Sequence, residues 1–91
     1  MTVYVSGKIR GDPDYKAKFD RAEQELTTKG YTVLNPTWIT AKLTDNEYLC
    51  ICFAMIDVCD AIYLLPDWTR SNGAWLEWHY AMSKNKKVME G

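Results

Sequence analysis

"AIYLLP", residues Ala61–Pro66, is the stretch on which the fold turns. It follows Asp60, ends at a proline, and carries no polar group except the Tyr63 hydroxyl. A strand with one wet face would alternate polar and apolar residues. A near-continuous apolar run suits a strand covered on both faces, as in parallel sheets wrapped by helices.

The flanking sequence agrees with this. "TVYVSG" (Thr2–Gly7) is β-branched and aromatic and ends in glycine, so it reads as a strand. "YTVLNP" (Tyr31–Pro36) reads as a second strand, ending at Asn-Pro, and "KKVME" (Lys86–Glu90) leaves room for a short last one. Between the first two strands, Tyr15, Phe19, Ala22 and Leu26 recur at helical spacing with charges among them. Asp12 is expected as the N-cap of that helix with Pro13 at its first position, and Gly30 as its stop. Thr44 and Glu47 fit a capping box ahead of the stripe Leu49, Cys52, Phe53, Ile56. Ser71 or Asn72 caps a third helix reaching about Lys84. The alternation β-α-β-α-β-α-β predicts an α/β domain with a parallel sheet and crossover helices. Ligands of such sheets sit beyond the carboxyl ends of the strands, at the topological switch point. The loops there are Gly7–Asp12, Asn35–Leu43 and Leu65–Asn72.

With 91 residues the chain is one domain, 1–91. A chain of this size buries only roughly 60–65% of the surface its unfolded form exposes, so its core is thin. A hydrophobic content of 47%, with four Trp and six Tyr, excludes disorder and is a heavy aromatic load for so small a fold. Part of that load is expected to line a pocket or a subunit interface, so a homodimer or larger homo-oligomer is expected. The net charge of -1 offers no field for a nucleic-acid polymer and no polybasic membrane patch. Apolar runs are too short to span a bilayer, and no signal-peptide pattern opens the chain. Cys50, Cys52 and Cys59, odd in number, read as reduced thiols in a cytoplasm. Cys50 and Cys52 fall on different helical faces and only one His exists, so neither a metal site nor a cofactor is expected.

Two stretches carry chemistry. In "GKIRG", Gly7 and Gly11 bracket Lys8 and Arg10 at a strand-to-helix turn. Exposed N–H groups and two cations make a phosphate cradle; a plain βα turn with two solvated cations fits equally. In "RSNGAWLEWHYAM" (Arg70–Met82), Glu77 shares its helical face with Ala74, Trp78 and Ala81. An unpaired carboxylate there costs several kcal/mol or takes up a proton. Either Glu77 pairs with a cation across the sheet, Arg10 for instance, or it faces solvent at an edge, or it is kept for chemistry. Ser71, six residues earlier, either caps the helix or joins its N-terminus in receiving an anion. Trp68 either stacks on a planar ligand or covers the sheet end.

Together "YVSGKIRG", "CDAIYLL" and "SNGAWLEWHYA", in this order and spacing, resemble the nucleoside 2-deoxyribosyltransferase-like superfamily over nearly the whole chain. The likeness is greatest to a short branch met in phage and prophage genomes. The resemblance implies a three-layer, flavodoxin-like domain with strand order 2-1-3-4. It implies that Glu77 is a nucleophile attacking the anomeric carbon of a nucleoside, as the carboxylate of a retaining glycosidase does. Ser71, where free-nucleoside transferases tend to carry Asp, is similar to the nucleotide N-glycosidases of the superfamily and implies a 5′-phosphate on the substrate. Arg10 and the "IRG" turn match that branch too. Gly7, Lys8, Arg10, Gly11, Ser71, Asn72 and Gly73 would then hold the nucleotide, with Trp68 or Tyr4 packing base or sugar. The expected function is N-glycosidase or deoxyribosyltransferase on a nucleoside 5′-monophosphate, the alternative a silent nucleotide-binding module. Two departures stand out. The family's Asp on the second helix, which helps protonate the leaving base, falls near Cys52. Characterised members also add a strand and helix, reaching a neighbouring subunit's site, that these residues do not include.

Overall fold

The computed structural model describes residues Met1–Gly91. Four strands, β1 (Thr2–Ser6), β2 (Thr32–Leu34), β3 (Ala61–Leu64) and β4 (Lys87–Glu90), alternate with helices α1 (Tyr15–Thr28), α2 (Asp45–Asp57) and α3 (Asn72–Ser83). Single 3₁₀ turns occupy Pro36–Trp38 and Trp68–Arg70. The sheet is parallel throughout, in the order β2-β1-β3-β4. β3 lies between β1 and β4, and both its faces are covered as its apolar run demands, Ala61 packing on the α1 side and Ile62 and Leu64 on the side of α2 and α3.

Strand alternation divides the core between the two faces of the sheet. Val3, Val5, Val33, Ala61 and Leu65 pack against Phe19, Ala22 and Leu26 of α1. Tyr4, Ile62 and Leu64 pack against Cys52 and Ile56 of α2 and Ala81 of α3. This is a three-layer α/β sandwich with α1 on one side and α2 and α3 on the other.

The helix ends follow local chemistry. Thr44 and Glu47 form the reciprocal capping box of α2. Ser71 caps α3, its Oγ accepting from the Ala74 N–H at 3.1 Å. At α1 the expectation of an Asp12 cap fails. The helix begins at Tyr15, because the Asp12 carboxylate accepts from the Asp14 N–H across Pro13 and from Lys18 Nζ at 2.6 Å. Asp12 therefore closes the turn before the helix. Lys18 holds this carboxyl below its ordinary range.

β1 runs out to its neighbour β2 through α1, and the chain then returns past β1 to build β3 and β4 on the other side. The switch point therefore lies at the carboxyl ends of β1 and β3. Gly7 marks the gap: a Cβ there would come 2.7 Å from Leu65 Cδ1, so the chain leaving β1 passes too close to the end of β3 for any side chain.

Candidate functional site

A cavity of about 570 Å³ opens at this switch point, a size that suits a small-molecule ligand. All three loops singled out in the sequence line it: Gly7, Lys8, Ile9 and Arg10 after β1; Pro36, Ala41 and Leu43 after β2; Arg70 and Ser71 after β3. Phe19 of α1, Asp45, Tyr48 and Leu49 of α2, and Asn72, Gly73, Ala74, Leu76 and Glu77 of α3 complete the wall.

Glu77 is only 7% exposed, yet it forms no ion pair. The Tyr4 hydroxyl donates to its Oε2 at 2.8 Å and the Ser6 hydroxyl to its Oε1 at 2.7 Å, both in the buried interior. Tyr4 and Ser6 are two residues apart on β1 and so face the same helix layer. Burial raises the Glu77 carboxyl from its ordinary 4.5 to about 6, against the two hydroxyls that favour its charged form. Burial and the neighbouring Glu77 raise Tyr4 well above its ordinary value, so the phenol stays a donor. The Cys52 thiol, beside them on α2, is pushed up to about 12 by burial and by Glu77, and stays protonated.

The arrangement excludes the cation partner considered for Glu77. Arg10 instead pairs with Asp45 of α2 at the mouth of the cavity, where both side chains are exposed. Such exposed pairs contribute little to stability, so Arg10 is free to exchange Asp45 for another anion. Lys8 and Arg70 line the cavity without a carboxylate partner. Ser71 Oγ accepts from the α3 backbone and keeps its own proton to donate.

Three of the sequence-selected residues lie off the cavity wall. Tyr4 is fully buried, where its hydroxyl holds the Glu77 carboxylate and its ring does not reach the cavity wall. Trp68 turns away into an aromatic cluster, 4.7 Å from Trp75 and 5.7 Å from Trp78 between ring centroids, because the 3₁₀ turn folds it onto α3. Gly11 is exposed with φ +81°, serving the backbone reversal before α1. Gly7, Lys8, Arg10, Ser71, Asn72, Gly73 and Glu77 do converge on one cavity.

Sequence reasoning passed over Ser6, Asp45, Tyr48 and Arg70. The period of two along β1 was the available signal for Ser6, since it shares the face of Tyr4. Asp45 and Tyr48 reach the cavity only through the packing of α2.

A family model described as a domain of unknown function, DUF4406, matches residues 1–90. The chain belongs to this family. Among solved structures, this DUF4406 domain is similar to a 2-desoxiribosyltransferase from Leishmania mexicana, with a TM-score of 0.77 and 22% identity over 98% of the chain. It is also similar to the CMP N-glycosidase BcmB of Clostridium botulinum, with a TM-score of 0.72 and 19% identity over 99% of the chain. It spans 62% of the first protein and 67% of the second. No curated protein sequence matches the DUF4406 chain. At these identities the likeness is one of fold: the domain shares the architecture of these two solved structures. No helix is long and apolar enough to cross a membrane.

Proposed function

We propose that this domain acts on the N-glycosidic bond of a nucleoside 5′-monophosphate, with Glu77 as nucleophile. One observation carries the reading. Glu77 is a buried carboxylate with no cation beside it, held by two hydroxyls at the wall of a ligand-sized cavity. A structural glutamate would be paired or solvated; an unpaired one at a cavity wall is poised to react. The ionised carboxylate attacks the anomeric carbon as the C1′–N bond breaks and its electron pair departs with the base, which takes up a proton from water. Water or a second base then attacks the same carbon and releases the carboxylate.

The phosphate end is supported by Lys8, Arg10 and Arg70 around the N-terminus of α3. Asn72 and Gly73, in the first turn of that twelve-residue helix, are not bonded within it through their N–H groups. A monophosphate dianion would draw Arg10 from Asp45 and accept from Ser71. Incubation with a panel of ribo- and deoxyribonucleoside monophosphates, followed by detection of free base, tests the reading. Release should occur with the wild type and fall by several orders of magnitude in Glu77→Gln. Undiminished release in that variant would place the nucleophile elsewhere.

Cys52 favours a second reading. The α2 group that bears on the Glu77 carboxyl is the Cys52 thiol, which keeps its proton to about 12 and is a poor general acid at neutral pH. If nucleotides bind and no base is ever released, the domain is a nucleotide-binding module.

A further inference from the structure

Ser6 has no part in the steps above, yet its hydroxyl is fully buried and donates to Glu77 Oε1 at 2.7 Å. An alanine or valine would suit a buried strand interior at no polar cost; a serine is needed there only because a carboxylate lies above it. The two donors divide the carboxylate between them. Tyr4 takes Oε2, and Ser6 takes Oε1. Two residues along a strand is about 6–7 Å, so Ser6 stands that much nearer the carboxyl end of β1. The residue after it, Gly7, lines the cavity. Oε1 is thus bonded nearer the carboxyl end of β1, the end at which the cavity opens, and Oε2 is bonded further back along the strand.

We propose that Ser6 is a positioning residue for the nucleophile: it presents Oε1 to the anomeric carbon and stabilises the charge on that oxygen before attack and after release. The assignment rests on the glycosidic reading above. As the Oε1–C1′ bond forms and the C1′–N bond breaks, Oε1 becomes an ester oxygen and a poorer acceptor, so the Ser6 bond weakens. When water attacks C1′, the Oε1–C1′ bond breaks, its electron pair returns to the carboxylate, and one water proton passes to solvent. The Ser6 bond strengthens again, which favours release of the sugar.

Other groups bear on Glu77 from each side: Tyr4 below it on β1, Cys52 and Tyr48 on α2, and Lys8, Arg10, Arg70 and Asp45 around the cavity. Besides these, Ser6 donates to Oε1, and of the groups that favour the charged carboxylate, Ser6, Tyr4 and Cys52, it acts most strongly. Removing its hydroxyl should make ionisation harder by about one pH unit, the size of one hydrogen bond to a charged group.

The test is a carbon-13 NMR titration of the Glu77 carboxyl in the intact chain, with the pH profile of base release measured beside it. Ser6→Ala should raise the titration midpoint, and Ser6→Cys, with a weaker donor of similar volume, should raise it less. The acidic limb of kcat should move by the same amount, with KM little changed. A midpoint unmoved in both variants overturns the proposal, as does a midpoint that moves while the limb of kcat stays. Should Ser6→Ala not fold, Ser6→Cys decides by the same two readouts. A moved midpoint in a protein that releases no base from any nucleotide supports the hold of Ser6 on the carboxylate and overturns the glycosidic reading instead.

Discussion

Replacing Glu77 with Gln should alter how stability depends on pH, in a direction opposite to most carboxylate substitutions. Glu77 holds its proton up to about pH 6 in the folded protein, against 4.5 ordinarily, because burial penalises the charge more than Tyr4 and Ser6 relieve it. Between these values the folded chain binds more protons than the unfolded one. Unfolding free energy therefore falls as pH rises through that window and stays lower above it. One and a half pH units correspond to about 2 kcal/mol. Gln carries no charge to desolvate, and either hydroxyl can donate to its oxygen or accept from its amide. Urea denaturation of both proteins at pH 4.5 and pH 7.5 measures the effect. Carboxylates with lowered values, such as Asp12 and Glu47, act equally in both proteins and cancel in the difference. The variant should gain about 2 kcal/mol on the wild type between the two pH values. An unchanged difference, or a variant less stable at both pH values, would show that Glu77 is a structural anchor and refute the reasoning.

Base release should have an acidic limb near pH 6, since the nucleophile must be ionised; a limb near 4 would mean that Glu77 is solvated in the working enzyme. Ser71→Asp should weaken nucleoside monophosphate binding at least tenfold in calorimetry and spare free nucleosides, because a carboxylate at the α3 N-terminus repels phosphate. Gly7→Ala should lower stability by about 1–3 kcal/mol in denaturant melts, because its Cβ meets Leu65 Cδ1 at 2.7 Å; a neutral change would mean that β1 and β3 separate easily at their ends. Sedimentation at micromolar concentration should give a dimer or larger species, since Trp75 and Leu76 remain exposed on α3; a clean monomer at high concentration would refute this.

The residues most legible in the sequence were those whose constraint is local. The apolar run Ala61–Pro66 announced a strand covered on both faces, and β3 is packed against helices on each. The Thr44–Glu47 pair and Ser71 announced helix starts, because capping involves atoms three residues apart. The same local reading misplaced the start of α1, where Lys18 competes for the Asp12 carboxylate from the next turn. For Trp68 the sequence left stacking on a ligand and covering the sheet end both open. Only the packing of α3 shows that its ring joins Trp75 and Trp78.

The order of strands and helices, the loops at the strand ends and the oddity of a carboxylate among rings and alanines were all determined by the sequence itself. They follow from periodicity, turn chemistry and the cost of burying charge, which depend on neighbours in the chain. What surrounds that carboxylate was decided by tertiary structure alone. Tyr4 and Ser6 lie 73 and 71 positions from Glu77, and they reach it because β1 occupies the centre of the sheet and α3 crosses its face. Whether a buried carboxylate is paired, solvated or left poised depends on atoms within about 3 Å of it, and only the folded chain brings those atoms together.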